Sequence, residues 1–379
     1  MGRKAVSFFV SVAVGMALAA PLLVRADDGA ASIAAGGLVA RRETRVTMAK
    51  EVLRISPDTV VVDYDFRNDT SEDVTTEVAF PVPPYRNGVE EAPLPEAAGF
   101  RSFKLWVDGK AVEYQAEATA TLKGKDVTEL LRANGVDIAT FGHFEIGVDG
   151  KGTEVLKTPD FERLPKAARE QLARAGLFEN ADAEWGDWTV HLQFHWRQTF
   201  AAHSTVHIRH EYTPVAGAEL MSIDTFKRAL ERGTPAPDAK AGDPTGEDLR
   251  LLGSFCPDSS LLRGVVGRLE TSDPHLGYFA TPQWVDFILT TANTWKQPIE
   301  DFTLIVERGK PVEDNYRRFV SFCSPQNAGV EKLDADHFQV HLSHFVPAGE
   351  LHIGFFDVAG GKGAEAAGKK RADGGGGLR

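Results

Sequence analysis

The segment Glu51–Pro83, EVLRISPDTVVVDYDFRNDTSEDVTTEVAFPVP, decides the fold. Its central strand places its apolar side chains at every second residue, on Val60, Val62, Tyr64 and Phe66. A period of two is typical of a strand that buries one face. Pro57-Asp58 and the polar run at 68–73 interrupt the alternation, and turn-forming residues of this kind separate strands. The segment therefore predicts three antiparallel strands in a meander.

The β pattern continues further along the chain and predicts a mostly β fold. Residues 100–115 predict a strand pair around Asp108-Gly109, a dipeptide that favours a tight hairpin turn. Residues 188–211 alternate in two further runs and predict a second hairpin. A second β unit, expected from about Leu262, includes runs at 286–291, 301–307, 319–322, 337–342 and 351–356. We therefore predict two β-sandwich-like domains, residues 27–217 and 218–358.

Helical patterns interrupt the first predicted domain. Residues 126–135 and 165–175 each predict a short helix that ends beside a glycine. They define a small α-helical insertion at residues 123–187. The insertion either carries function, because a rigid sheet holds it, or covers an exposed sheet edge. Beyond it, the sequence predicts a helix at 222–231, a linker-like loop at 234–248 and a disordered tail at 359–379.

Several segments together resemble one bacterial family. They are GGLV at 36–39, VxVxYxFRN at 60–68, VTTEVAFPVP at 74–83, HEYTPVAG at 210–217, TTANTWKQPIEDFTLIV at 290–306 and SFC at 321–323. The set is similar to the bacterial envelope family DUF4424, which implies a secreted domain without an assigned activity. A shorter pattern at 64–131, which includes FPVP and FKLWVDGKAV, resembles the VIT module of inter-alpha-trypsin-inhibitor heavy chains. That resemblance implies a protein-interaction sandwich.

The N-terminus has the three parts of a secretory signal peptide. Arg3 and Lys4 precede an apolar run at 5–24, and Val24-Arg25-Ala26 places small residues where signal peptidase cuts. We therefore expect a signal peptide at residues 1–26 and a periplasmic or otherwise secreted mature chain. An uncleaved membrane anchor is the alternative, since the apolar run is close to spanning length.

Net charge and cysteine content add two expectations. The net charge of −12 argues against a nucleic-acid partner, because binding to phosphates requires clustered cations. The two cysteines, Cys256 and Cys323, lie in a chain that is expected to meet oxidising conditions. They predict one disulfide bond, and two buried thiols are the alternative.

Three histidines of the predicted second hairpin form a candidate site. His191, His195 and His207 project from one face if the two strands pair. His191 and His195 are about 13 Å apart along an ideal strand, which is too far for one metal ion with ligand bonds near 2 Å. We therefore expect a polar outer face without a metal ion, and keep a metal-dependent or other hydrolase as the alternative.

Three tryptophans form a second candidate site. Trp106 lies on the opposite strand face from its apolar neighbours, and Trp185 and Trp188 mark the end of the insertion. Exposed aromatic side chains can bind sugars or peptides. Core packing or contact between the two domains is the alternative for each of them.

No familiar catalytic motif accompanies these residues. The sequence lacks a GxSxG elbow, an HExxH pair, a P-loop and a GxGxxG fingerprint. We therefore expect a noncatalytic envelope protein without a cofactor, which binds another envelope protein or a glycan through the insertion. After signal cleavage we expect no membrane span.

Overall fold

The computed structural model describes residues 29–34, 37–87, 102–139, 141, 145–148, 154–157, 159–182, 186–233, 244–272 and 278–359. Over these residues strands predominate, in three larger sheets and one isolated hairpin, with six helices between them. The prediction of a mostly β fold is therefore confirmed. The predicted signal peptide and all of the predicted tail beyond Ala359 lie outside the described residues.

A seven-stranded sheet is built around one long strand. Its strands are β1 (Gly29–Ala34), β2 (Gly37–Ala40), β5 (Val74–Pro81), β6 (Tyr85–Asn87), β9 (Gln115–Leu122), β10 (Lys125–Asp126) and β13 (Trp188–Phe200). Their order is β10-β9-β13-β5-β1-β2, and β6 also pairs with β13. The 13 residues of β13 are long enough to pair with β5 and β6 on one side and with β9 on the other.

An eight-stranded sheet contains the central strand of the deciding segment. Its strands are β3 (Val46–Ile55), β4 (Val60–Asn68), β7 (Lys104–Val107), β8 (Lys110–Ala111), β14 (Ser204–Tyr212), β18 (Ile299–Glu307), β20 (Glu331–Lys332) and β21 (His337–Phe345). Their order is β20-β21-β18-β3-β4-β14-β7-β8. The predicted turn at Asp108-Gly109 joins β7 to β8, with φ of 48° and 75°, as expected for a hairpin turn that needs left-handed backbone.

The two sheets pack face to face around an aromatic core. Phe103 stacks on Phe194 with ring centroids 4.1 Å apart, and Phe66 contacts Phe200 at 5.6 Å. His210 is fully buried in this core, and burial lowers its pKa to about 3.

The arrangement into two separate sandwiches is not confirmed, because β18, from the predicted second domain, pairs in parallel with β3. The boundary at residue 217 stays a prediction.

Two connections that look like hairpin loops instead cross between the sheets. β3 and β4 pair as predicted, but β5 pairs with β13 and β1, and so the three-stranded meander is wrong. The buried Asn68 side chain holds this crossing by donating to the carbonyls of Glu72 and Phe200, at 2.9 Å each. In the adjacent crossing from β13 to β14, the His203 amide donates to the Thr70 carbonyl at 3.1 Å.

A five-stranded sheet and three helices complete the described C-terminal part. The strands are β15 (Ala216–Ala218), β16 (Met221–Ser222), β17 (Phe279–Ile288), β19 (Arg317–Phe322) and β22 (Glu350–Val358). The helices are α4 (Ile223–Arg232), α5 (Pro244–Ser254) and α6 (Ser259–Leu269), with 3-10 turns at Thr290–Thr294 and Pro325–Asn327.

The sequence predictions for this part are confirmed only in places. The helix at 222–231 corresponds to α4, whereas α5 begins inside the predicted loop and α6 lies where a β unit was expected to begin. These helices pack on the five-stranded sheet through apolar residues such as Leu262, Val265 and Leu269. In the part of the chain that is described, no helix is long and apolar enough to cross a bilayer.

The predicted disulfide between Cys256 and Cys323 is present. It joins the connection between α5 and α6 to the residue after β19. The nearby Ser321 hydroxyl donates to the Phe255 carbonyl at 2.8 Å. The helical layer is therefore attached to the sheet both covalently and by a buried hydrogen bond.

The predicted insertion at residues 123–187 lies between β9 and β13 and begins with the short strand β10. Its elements are α1 (Thr128–Ala133), β11 (Glu145–Val148), β12 (Glu154–Lys157), α2 (Pro159–Arg163) and α3 (Lys166–Arg174), so both predicted helices are confirmed. Several of its apolar side chains, among them Leu131, Phe161 and Leu172, belong to the main core. The insertion is thus a packed part of the fold.

Candidate functional site

The three predicted histidines do not share a face. His191 and His195 lie on β13 in the seven-stranded sheet, and His207 lies on β14 in the eight-stranded sheet. The two strands follow each other in the chain, but their sheets face each other across the core, so side chains that avoid the core point in opposite directions. The predicted hairpin with one histidine-rich face is therefore wrong.

Each of these histidines has a local polar partner. His191 Nε2 lies 3.0 Å from the Thr121 hydroxyl, and burial lowers the pKa of this histidine. His195 Nδ1 lies 2.6 Å from Glu77 Oε1, and His207 Nδ1 lies 3.0 Å from Asp65 Oδ1. Within the described ranges, no three His, Cys, Asp or Glu side chains are grouped so that they could hold a metal ion.

The three predicted tryptophans have different environments. Trp188 is only 1% exposed and packs on Phe141 and Phe178, so a partner cannot reach it. Trp185 lies outside the described residues. Trp106 is partly exposed on the outer face of the eight-stranded sheet and pairs in register with Arg209, two residues from His207. Of the predicted site residues in the described ranges, Trp106 and His207 therefore come onto one face.

A concave site lies where the three sheets meet. Its walls come from the end of β5 and the start of β6, from the link between β14 and β15, and from β17. It has a volume of about 120 Å³, and its main lining residues are Pro83, Pro84, Tyr85, Tyr212, Pro214 and Trp284. We call this site the proline–aromatic cleft.

Trp284 has its position because the strand opposite it carries a glycine. Gly217 on β15 pairs in register with Trp284 on β17. A Cβ atom on Gly217 would lie 2.0 Å from the indole, well inside van der Waals contact. The indole also approaches Phe255 of the helical layer, with ring centroids 6.2 Å apart. A larger residue at position 217 would therefore displace this wall of the cleft.

Tyr85 forms another aromatic wall, and the insertion positions it. The ring is 7% exposed, and its hydroxyl donates to the Ala139 carbonyl at 2.8 Å. Burial raises the pKa of Tyr85, so the hydroxyl remains a donor over the physiological pH range. The insertion therefore supports the cleft even though Trp188 itself is buried.

A carboxylate at the cleft is tied to a histidine. Asp286 lines the cleft and lies opposite His352 in register, with Asp286 Oδ1 2.8 Å from His352 Nδ1. Both side chains are partly exposed, at 32% and 41%. The hydrogen bond to Asp286 raises the pKa of His352, against a smaller opposing effect of burial.

We expect Asp286→Asn to lower the pKa of His352. The substitution removes the carboxylate that raises this pKa, and the effect of burial, which lowers it, remains. In the wild type, this pKa should lie above the unfolded value of about 6.5. A raised folded-state pKa stabilises the protein fully below about pH 6.5, and the contribution is lost as the pH rises through the folded-state pKa. The excess stability of the wild type over the variant should therefore shrink as the pH rises from the lowered pKa of His352 in the variant through its raised pKa in the wild type.

An NMR titration of the His352 ring, together with urea unfolding at several pH values, measures both effects. Asp301→Asn is the matched control, since Asp301 pairs with His341 at 2.9 Å on another sheet. It should leave the His352 titration unchanged. A wild-type pKa at or below the unfolded value would contradict the interpretation.

Strand β15 adds an open backbone edge to the cleft. In the described residues it is the terminal strand of the order β15-β17-β22-β19. Ala216 and Ala218 are exposed, and Ala216 and Gly217 also line the cleft. An exposed edge offers N–H and C=O groups to an extended chain.

The only sequence feature that could have indicated this cleft is a pair of short proline–tyrosine clusters. Proline lies next to or near tyrosine both at Pro83-Pro84-Tyr85 and at Tyr212-Thr213-Pro214. Each cluster alone is typical of a strand end, because proline cannot donate to a ladder. Their meeting with Trp284 depends on how three sheets pack, which no local pattern specifies.

Fold and cleft together define the class: a mostly β protein that presents a small concave surface beside an open strand edge. The chain belongs to the family DUF4424, described as "Domain of unknown function (DUF4424)", whose model matches residues 26–353. The sequence expectation of this family is thus confirmed. The shorter resemblance to the VIT module finds no support in the comparisons.

Comparisons with individual proteins add little. A search of curated proteins found no match. Among solved structures, a Legionella pneumophila protein described as a candidate nutrient-binding protein is similar at 14% identity and a TM-score of 0.35. That match covers 83% of this chain and 68% of the other. A likeness this distant carries no argument about the present site.

Proposed function

We propose that this protein is an exported, noncatalytic binding protein whose proline–aromatic cleft receives an extended segment of a partner protein. One observation carries the proposal: the cleft and the open edge of β15 share Ala216 and Gly217. A segment that pairs with the edge places alternate side chains toward the sheet face, where one of them can enter the cleft.

The cleft suits an apolar side chain better than a sugar. Three prolines and three aromatic rings line it, whereas the Tyr85 hydroxyl is already bonded to the insertion and Asp286 is bonded to His352. A sugar has several hydroxyl groups, and each needs a partner once it is buried. A volume of about 120 Å³ is sufficient for a single side chain. Aromatic and proline surfaces of this kind also recognise proline-containing extended segments.

Export is part of the same proposal. The tripartite N-terminus predicts cleavage after Ala26, and the disulfide between Cys256 and Cys323 is suited to an oxidising compartment. A hydrolase built on the histidines is not proposed, because His191 and His195 lie in a different sheet from His207. The role assigned by sequence to Trp185 and to Trp106 stays a prediction.

A photo-crosslinking amino acid in place of Ala216 tests the proposal in the native envelope. We expect the crosslinked peptides to come from one partner protein. We also expect the intact mass of the mature protein to correspond to a chain whose first residue is Asp27. Pro84→Glu places a charge at the rim of the cleft and should lower the adduct yield about tenfold, equivalent to about 1.4 kcal/mol. Trp284→Ala should lower it further, since truncated aromatic anchors cost about 2 kcal/mol or more.

The matched controls lie away from the cleft. The same crosslinker at the exposed Ala111 on β8 should give no specific adduct, and Phe279→Ala, on the same strand as Trp284, should keep the yield. Glycan adducts at position 216 would favour a glycan ligand instead. Equal adduct yields at positions 111 and 216, or no adduct at position 216, would contradict binding at the cleft. A mature protein that retains its hydrophobic N-terminus would contradict export.

A further inference from the structure

A second, chemically different pocket lies at the protein surface, beside a loop that connects two of the sheets. Residues 41–45 carry the chain from β2 in the seven-stranded sheet to β3 in the eight-stranded sheet. Together with Thr75 and Thr76 at the start of β5, they line an open pocket with a volume of about 370 Å³. We call it the arginine pocket. Its lining contains Arg41, Arg42 and Arg45 against a single carboxylate, Glu43.

Glu43 makes one wall of this pocket rigid. Its side chain is 8% exposed, and its carboxylate accepts hydrogen bonds from Arg45 Nε at 2.9 Å, Arg45 Nη2 at 2.8 Å and the Arg45 amide at 2.8 Å. Its own amide donates to the Thr294 carbonyl at 2.7 Å. The hydrogen bonds from Arg45 lower the pKa of Glu43, so the pair stays charged at neutral pH. Contacts within the loop, and one contact to the 3-10 turn at Thr290–Thr294, therefore hold the loop at residues 41–45.

The two remaining guanidinium groups are available to a ligand. Arg41 and Arg42 are exposed, and among the described residues neither has a carboxylate within ion-pair distance. Glu72 is the further acidic residue close enough to act on Arg45 electrostatically. Three guanidinium groups thus face two carboxylates, in a chain whose net charge is −12. A local positive site of this kind opposes the field of the rest of the molecule.

Hydroxyl groups complete the lining. Thr75 and Thr76 of β5 line the pocket, and Thr44 lies between the arginines in the chain. The Thr75 hydroxyl shares a hydrogen bond of 2.8 Å with the Thr199 hydroxyl, and either one can be the donor. Guanidinium forks beside hydroxyl groups match the oxygens of a phosphate group, because the fork donates two parallel hydrogen bonds.

We infer that the arginine pocket binds a compact phosphate group, with Arg41 and Arg42 as its bidentate ligands. The ligand is a small phosphomonoester or diphosphate, and the same chemistry is offered by a soluble compound or by a phosphorylated lipid headgroup. A long polyanion does not fit, because the net charge of −12 repels it beyond the pocket. This inference is independent of the proposed protein-binding role of the cleft.

Calorimetric titration of the full mature chain with inorganic pyrophosphate tests the inference. We expect saturable binding that weakens with added salt, and at least a tenfold loss of affinity in the double variant Arg41→Gln and Arg42→Gln. The matched control is Arg232→Gln with Arg263→Gln, which removes the same charge from exposed positions on α4 and α6. The control should bind as tightly as the wild type.

Vesicles separate the two sources of phosphate. Sedimentation with vesicles that contain phosphatidic acid, whose headgroup is a phosphomonoester, should show arginine-dependent binding if the natural ligand is a lipid headgroup, whereas pure phosphatidylcholine vesicles should not bind. Pyrophosphate binding without vesicle binding assigns a soluble ligand. The inference is overturned if neither probe binds, or if the control variant loses as much affinity as the Arg41 and Arg42 variant. Thermal unfolding of each variant without ligand shows whether the fold is intact.

Discussion

Replacing Arg318 with alanine is expected to lower the free energy of unfolding by about 3–5 kcal/mol, the usual cost of removing one partner of a buried ion pair. Arg318 on β19 and Asp357 on β22 lie in register, and their side chains are 4% and 1% exposed. Two hydrogen bonds of 2.9 and 2.6 Å join them. Without the guanidinium group, the buried Asp357 carboxylate would keep the hydrogen bond from the Val312 amide at 3.3 Å but would lose its countercharge.

The double variant Arg318→Met with Asp357→Leu separates the cost of an unpaired buried charge from the net contribution of the ion pair to the free energy of unfolding. Removing both charges together should cost much less than the single truncation, because apolar pairs often replace buried ion pairs without loss. Arg132→Ala is the matched control, since its ion pair with Glu129 is exposed and should be worth less than about 1 kcal/mol. Urea unfolding measures all three. A loss at Arg318 no larger than at Arg132 would contradict the expectation.

Loss of the disulfide is expected to have the second large effect. Cys256 and Cys323 are 67 residues apart, and the chain-entropy model gives about 4 kcal/mol for a loop of that length, which lies in the range of about 2–5 kcal/mol known for native disulfides. The bond also holds the helical layer, through α5 and α6, against the five-stranded sheet. We therefore expect the double variant Cys256→Ser with Cys323→Ser to unfold at a clearly lower urea concentration.

Reducing agent provides the internal control for this experiment. It should lower the unfolding midpoint of the wild type to near that of the double serine variant, and should leave the variant unchanged. A wild-type midpoint that does not respond to full reduction would show that packing of α5 and α6, rather than the covalent bond, holds the helical layer. Mapping of the peptides without reduction confirms the state of both thiols.

Strands were predictable from sequence, but their partners were not. Val60, Val62, Tyr64 and Phe66 are all buried in β4, as the alternation indicated. The alternation of apolar and polar residues indicates which side chains enter the core. It does not indicate whether the next strand of the chain joins the same sheet or the facing sheet, because both arrangements bury the same side chains. The loop at 68–73 is long enough for either outcome. Asn68, through its bonds to Glu72 and Phe200, selects the crossing between sheets.

The same limit explains the errors about the candidate sites. The histidines of β13 and β14 alternate correctly with apolar residues, yet the crossing at 201–203 sends them to opposite outer faces. Trp188 ends a polar stretch in the sequence, but Phe141 and Phe178 of the insertion cover it. Exposure of a tryptophan depends on neighbours that are distant in the chain, and so no local window specifies it.

The sequence alone determined the mostly β content, the family, both cysteines of the disulfide and the helices of the insertion. These follow from local periodicity, from turn chemistry and from motifs, which are properties of neighbouring residues. Only the tertiary structure decided that β18 joins β3, that the histidines separate, and that Tyr85, Gly217 and Trp284 meet in one cleft. These features arise from contacts between segments as much as about 250 residues apart, where packing of whole sheets selects among pairings that the local pattern permits equally.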